Sequence, residues 1–342
     1  MSLPLQQNEE SSVLPESESK TNNVIKNVLY TILICLSFYS AWWIFTHGQQ
    51  WVDFWRYRFY SPPAEVVAIA DKVEMTDEAR YIFYVSDPAV ETADDFNSHC
   101  SGLEGEQTAV LGCYRLQKIF LYDVTDPRLY GIKEVTAAHE MLHAVYERLP
   151  LDEKLQVNKL IQEELPKIQD EHVKELAELY GKDGLDVLWN EMHSVLGSEF
   201  RSLSPELEQH YAKYFKDRSK VVTLSESYQS VFKASKARLS DYDRQLNDIK
   251  VAIDADYAEI DSRINTINAE SSRLNNLRAT DPEAYNLAVP SYNALVQGYN
   301  ALVVETRGLI DRYNALVEAR NSEAATQNSL YNSLNSHYEP IQ

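Results

Sequence analysis

The sequence predicts an α+β domain, a small sheet followed by a helical cluster, placed behind one transmembrane helix and ahead of an α-helical coiled-coil hairpin. Three observations predict it. Val28–Phe45 is an uncharged apolar run of about one bilayer thickness. Short aromatic and β-branched segments between residues 80 and 124 give way to helical patterns. From Leu239 onward, apolar residues recur every seven positions.

The N-terminal segment sets the topology. Residues 1–23 are rich in Ser, Glu, Gln and Asn and read as a disordered polar tail. Residues 24–46 read as a transmembrane signal anchor, because Trp42, Trp43, Trp51 and Trp55 gather at its far end as an aromatic belt. A cleaved signal peptide fits less well, since the preceding tail is long and no small-x-small site follows. Lys20 and Lys26 on one side oppose Arg56 and Arg58 on the other, so basic residues alone barely orient the helix.

Cys100 and Cys113 bracket a short polar loop. A disulfide between them would close it, with a gain of about 3 kcal/mol in the chain-entropy model; the bland alternative is two unrelated buried thiols. Such a bridge favours an oxidising exterior for everything after the anchor, hence a single-pass cell-membrane protein with extracytoplasmic C-terminal domains. Cys35 lies inside the apolar run.

Residues 61–220 form the α+β domain. A helix is expected over AEVVAIADKV, a strand over Arg80–Ser86 and a helix over Val90–Asn97. Strands are expected over Thr108–Tyr114 and Lys118–Val124, ending at Asp126-Pro127 and Gly131. Helices follow over Lys133–Leu149, Leu151–Ile168, Glu171–Tyr180, Asp186–Phe200 and Pro205–Arg218.

Residues 221–336 carry two heptad tracks. Leu239, Leu246, Ile253, Ile260, Ile267 and Leu274 keep one register, and Leu295, Leu302, Leu309 and Leu316 keep another beside the repeated word YNALV. Pro282 and Pro290 interrupt the rod, so an antiparallel hairpin with a break near residues 279–290 is expected over a parallel dimer. Asp256, Arg263 and Glu270 fall at seam positions and weaken the packing there.

The chemistry sits in the middle. His139-Glu140-Met141-Leu142-His143 puts two imidazoles four residues apart on one helix face, where they can grip one zinc ion beside Glu140 as general base. Val135, Ala138, Leu142, Val145 and Leu149 form an apolar stripe with the histidines along its border. The bland alternative is an amphipathic helix with two surface histidines. A third protein ligand is needed, and the next ligand-type residues lie in NEMHSVLGSEF: Glu191, His193 and Glu199.

HExxH followed by an Asn-Glu step on a later helix resembles the gluzincin branch of the zincin metallopeptidases, and in particular membrane-anchored zincins of bacteria. The resemblance implies Glu191 as third ligand, with Glu199 and His193 as rivals. It implies peptide or protein substrates, and by analogy a substrate-binding edge strand at Lys118–Val124. The family's supporting Asp four residues after the ligand Glu is here Val195. An oxyanion donor is sought among His210, Tyr211, Tyr214 and Arg218, each of which packing alone would also explain.

The net charge of −20 opposes a nucleic-acid partner. The membrane is one expected partner, through the single helix; the coiled coil offers another route, to a protein or a second copy. The competing reading is a cell-surface coiled-coil scaffold with a structural or vestigial zinc site. Glu140 speaks against it, since a structural site needs no carboxylate beside its first ligand.

Overall fold

The computed structural model describes residues 17–100, 110–182 and 184–337. The chain divides after Tyr60 into two compact units. The first is a single helix, α1 (Ser17–Phe59). Within it Val24–Ile44 is long and apolar enough to cross a membrane. Its large apolar side chains, including Val28, Leu33 and Phe38, are exposed, as a lipid-facing helix requires. From the end of the span onward, Trp43, Trp51, Phe54, Trp55 and Phe59 pack along the helix, mostly edge to face, at 5.7–6.4 Å between successive ring centres. Residues 17–23, expected in a disordered tail, belong to α1, because nothing in their composition breaks a helix already nucleated by the span. The rest of the expected tail lies outside the described residues.

The second unit begins with α2 (Ala64–Lys72) and α3 (Asp77–Val85). A strand was expected where α3 stands, and local chemistry explains the difference. The Thr76 side chain accepts from the Ala79 amide, and Asp77 and Glu78 occupy the first turn. Ala79, Ile82, Phe83 and Val85 then bury one helical face. Aromatic content is consistent with either state; the cap and the period decide.

A three-stranded sheet follows, built of β1 (Ala89–Glu91), β2 (Gly112–Arg115) and β3 (Lys118–Tyr122), with α4 (Ala93–Cys100) between β1 and β2. The order is β1-β3-β2, β1 parallel and β2 antiparallel to β3. Two expectations change. The helix over Val90–Asn97 gives its first residues to β1 and starts at Ala93. Lys118–Tyr122 is the central strand, flanked on both sides, so its backbone is spent in the sheet and it offers no edge to a peptide. β2 is an edge. Thr108 and Ala109, expected to start β2, lie outside the described residues.

The helical cluster comprises α5 (Ile132–Arg148), α6 (Leu151–Glu164), α7 (Glu171–Gly181), α8 (Leu185–Glu199) and α9 (Pro205–Tyr211). Pro166 turns the end of the expected Leu151–Ile168 helix into a short 3-10 turn over Leu165–Lys167. α9 stops at Tyr211, and Arg218 opens the next helix under an Asp217 cap. Val135, Met141, Leu142 and Val145 of α5 join Met192, Val195 and Leu196 of α8 in the main core, with Ile119 and Leu121 of β3.

Two long helices close the unit, α10 (Arg218–Thr280) and α11 (Pro282–Leu334). They form the expected antiparallel hairpin, and its break narrows to the single residue Asp281. That side chain accepts from the Ala284 amide and so caps α11, with Pro282 in the first turn. Pro290 stays inside α11, where it removes only the hydrogen bond to the Asn286 carbonyl. Cross-helix pairs bracket Asp281 almost symmetrically. Arg263 donates to the Gly298 carbonyl at 2.8 Å, Thr306 to Asp256 at 2.9 Å, Arg320 to Asp243 at 3.0 Å, and Arg238 and Ser235 both to Glu323. The hairpin's open end is packed on the α+β part: Leu330 is buried with Val124, Leu129 and Ile132, and Ser333 donates to Asp126.

Candidate metal centre

The centre is built where α5 and α8 cross. Gly197 of α8 permits the approach: a Cβ there would lie 2.5 Å from Leu142 Cδ1 and 2.6 Å from Tyr211 Cε1. Leu142 lies on α5 one residue before His143, so this close crossing brings the α8 side chains onto the histidine face.

On that face four groups converge. The Nε2 atoms of His139 and His143 are 3.0 Å apart. Glu191 of α8 presents one carboxylate oxygen to each, Oε1 at 3.4 Å from His139 and Oε2 at 3.5 Å from His143. Glu140 supplies a further ligand atom within 4.8 Å of both imidazoles. Donor atoms shared by a single small dication stand about 3–3.5 Å from one another. These separations therefore fit one metal ion held by His139, His143 and Glu191, and the alternative set with Glu140 in place of Glu191 is geometrically open too. What separates the two carboxylates is their surroundings. Glu191 lies across from both imidazoles, whereas Glu140 is only 5% exposed and turned against strand β2.

Asn190 orients one ligand. Its Oδ1 lies 3.0 Å from His143 Nδ1, so that nitrogen donates and Nε2 keeps its lone pair for a metal. Burial and the neighbouring His139 charge hold the His143 pKa down to about 4, which keeps the ring neutral. His139 behaves oppositely: burial works against its charge, but Glu191, Glu140 and Glu199 outweigh it and raise its pKa. Burial likewise opposes ionisation of Glu191, yet the two imidazoles lower its pKa to about 2. Glu140 is raised to about 7, by burial first and against the pull of His139. A buried carboxyl near neutrality is what proton transfer at ordinary pH asks for.

Strand β2 fixes Glu140. A Cβ on Gly112 would lie 2.8 Å from both Cγ and Oε1 of Glu140 and 2.6 Å from Thr136 Cγ2, so only glycine lets the strand sit this close. The Tyr114 backbone amide is directed toward the Glu140 carboxylate and works against the rise in its pKa. The register explains why that amide is free to do so. Tyr122 N bonds to Leu111 O, and alternation along an antiparallel pair then turns the N–H groups of Gly112 and Tyr114 away from β3.

The remaining residues singled out from sequence are placed as follows. His193 is fully buried and pairs with His210, Nε2 to Nε2 at 2.9 Å, so it serves a second imidazole pair and not the first. Glu199 accepts from Gln229 of α10 at 3.1 Å, and its charge reaches His139. The Tyr211 hydroxyl donates to the His193 carbonyl inside the core, and the ring of the buried Tyr214 packs on His210 at 5.4 Å. Arg218 caps the C-terminal end of α8, donating to the carbonyls of Leu196 and Phe200 and pairing with Glu208. Cys100 and Cys113 form a disulfide with a Cα–Cα distance of 6.0 Å.

Sequence reasoning missed three contributors: Asn190 as the partner of His143, Gly112 as the close neighbour of Glu140, and the Tyr114 amide. Asn190 had a signal, since it is half of the Asn-Glu step. Gly112 and Tyr114 had none, because the strand reaches the helix only through the tertiary fold.

Comparison of the chain with protein-family models, with curated proteins and with solved structures found no match.

Proposed function

We propose that the chain is a membrane-anchored zinc-dependent metallopeptidase, of the gluzincin-like kind, hydrolysing peptide bonds outside the cytoplasm. The observation that carries the reading is the two-oxygen approach of Glu191, from a second helix, to the Nε2 atoms of both histidines of HEMLH. Two neutral nitrogens and one carboxylate are the donor set of a catalytic zinc site that keeps a position open. The His139, His143 and Glu191 side chains would hold the ion. Zinc, when bound, supplies Lewis acidity and a water of lowered pKa.

The chain's own residues do the rest. Glu140, buried and raised to about 7, takes the proton of the attacking water and returns it to the leaving nitrogen. Asn190 holds His143 in the tautomer that binds metal. The outward-facing backbone of β2 at Gly112, with the Tyr114 carbonyl, borders Glu140 and suits an extended peptide added as a further strand. This edge replaces Lys118–Val124 as the expected substrate strand. The apolar helix α1 supports anchoring, and the disulfide supports placement on the oxidising side.

The test is direct. The full-length chain in detergent, loaded with zinc, should contain one zinc per chain by elemental analysis and cleave a casein-type substrate. Glu140→Gln should keep the metal and lose cleavage. A wild type without stoichiometric zinc overturns the reading; zinc without cleavage of any peptide supports a scaffold with a structural metal instead.

A further inference from the structure

The Cys100–Cys113 disulfide stands at a position that metal binding does not require. Both cysteines are 4% exposed and pack with Phe96, Phe120 and Tyr122. Cys113 lies between two β2 residues that border Glu140: Gly112, whose backbone abuts the carboxylate, and Tyr114, whose amide is turned away from β3 toward it. β2 has four residues and, among the described residues, a ladder on one side only. Its covalent tie leads to α4, and α4 is itself held: Asn97 donates to the Ser336 carbonyl at 2.9 Å and accepts from its hydroxyl at 2.6 Å.

The metal ligands are supported differently. His139 and His143 ride on α5 and Glu191 on α8, two helices locked together through Leu142, Gly197 and Tyr211. None of those contacts passes through β2.

We propose that the Cys100–Cys113 disulfide is a positioning element of the centre: it ties edge strand β2 to α4 so that Gly112 and Tyr114 hold the Glu140 carboxylate, while the metal ligands keep their geometry without it. The proposal rests on Glu140 as general base. Catalytic competence is then set by the thiol–disulfide state, and metal content is not. Reduction by a water-soluble phosphine transfers a water oxygen to phosphorus and leaves two cysteine thiols, which balances the cleavage and adds no zinc-chelating dithiol.

The experiment compares the zinc-loaded full-length protein oxidised, phosphine-reduced, and as the double variant Cys100→Ala/Cys113→Ala. Zinc content, hydrogen exchange at the Tyr114 amide and kcat/KM are read on each. In the oxidised form the Tyr114 amide should be protected although it has no ladder partner. Glu140→Ala should remove that protection with the disulfide intact. Reduction and the double variant should speed exchange at Tyr114 at least about tenfold and lower kcat/KM about 100-fold, the cost of a misplaced catalytic group. Zinc content and the protection of amides 139–143 should not change, which separates repositioning from unfolding. Unchanged exchange at Tyr114 on reduction, or loss of zinc together with the disulfide, overturns the proposal. If the wild type binds zinc but cleaves nothing, the peptidase reading fails while the exchange data still decide this one.

Discussion

The hairpin and the metal centre both place polar side chains between packed helices, and they satisfy them in opposite ways. Along α10 and α11 the polar groups that reach across the seam meet complementary ones. Asp256 accepts from Thr306, Arg263 donates to Gly298, and Glu323 accepts from Ser235 and Arg238. Asp256 and Arg263, which read as flaws in the heptads, find partners across the hairpin, as polar seam positions do in coiled coils, whereas Glu270 pairs with Arg273 on its own helix. At the crossing of α5 and α8, like faces like. Two imidazole Nε2 atoms stand 3.0 Å apart, and a second carboxylate is buried beside the first. Burial works against charge on both rings; the neighbouring carboxylates, Glu191 first, outweigh it and raise the His139 pKa, while the His139 charge adds to burial in lowering that of His143. One region satisfies its polar groups from within; the other gathers side chains that could hold a metal ion.

That contrast can be broken by substitution, most strongly at the centre. Glu140→Gln should retain zinc and lower kcat/KM by about 10²–10⁴-fold, the usual contribution of a positioned proton-transfer group. Loss of zinc from this variant would make Glu140 a ligand and overturn its assignment. The next effect is the metal itself. Zinc at about 1,000 times its dissociation constant should stabilise the wild type by about 4 kcal/mol, read as a rise in Tm over chelated protein. His143→Ala should show no such rise; a rise of equal size would move the metal elsewhere.

Smaller effects sharpen the hairpin side. Thr306→Val should cost about 1–3 kcal/mol in urea or thermal unfolding, because it leaves half-buried Asp256 without its donor. Adding Asp256→Leu should recover most of the loss, since a matched apolar pair replaces a matched polar one. Failure of the double variant to recover would mean that the pair is not coupled. Glu323→Ala should cost about 1 kcal/mol, for its partner Arg238 is half exposed. None of the three should alter zinc content.

Much of this was legible in the residues. HEMLH specified a helix bearing its histidines on an apolar border, and the Asn-Glu step pointed to Glu191, because i, i+4 spacing and short motifs are local properties. The heptads specified two long helices folded back near Pro282, again because a seven-residue period needs no knowledge of the rest of the chain. Residues 80–86 misled, since Tyr81, Ile82, Phe83 and Tyr84 suit strand or helix alike and the Thr76 cap lies outside the apolar run. β1 was hidden for a related reason: three residues are too few to show a period, and parallel pairing with β3 exists only across the fold.

By itself, the sequence determined the apolar span, the helix that carries the two histidines, the chemistry of its side chains and the cysteine pair that closes a short loop. Only the tertiary structure decided which carboxylate faces the imidazoles and which faces a strand. It also decided that β2 is an edge and β3 is not, and that Asp256 and Arg263 have partners across the seam. The physical reason is common to all three. Periodicity and spacing record what a residue does along its own element, whereas close approach depends on what lies opposite, and here glycines at 112 and 197 allow it at contact distance.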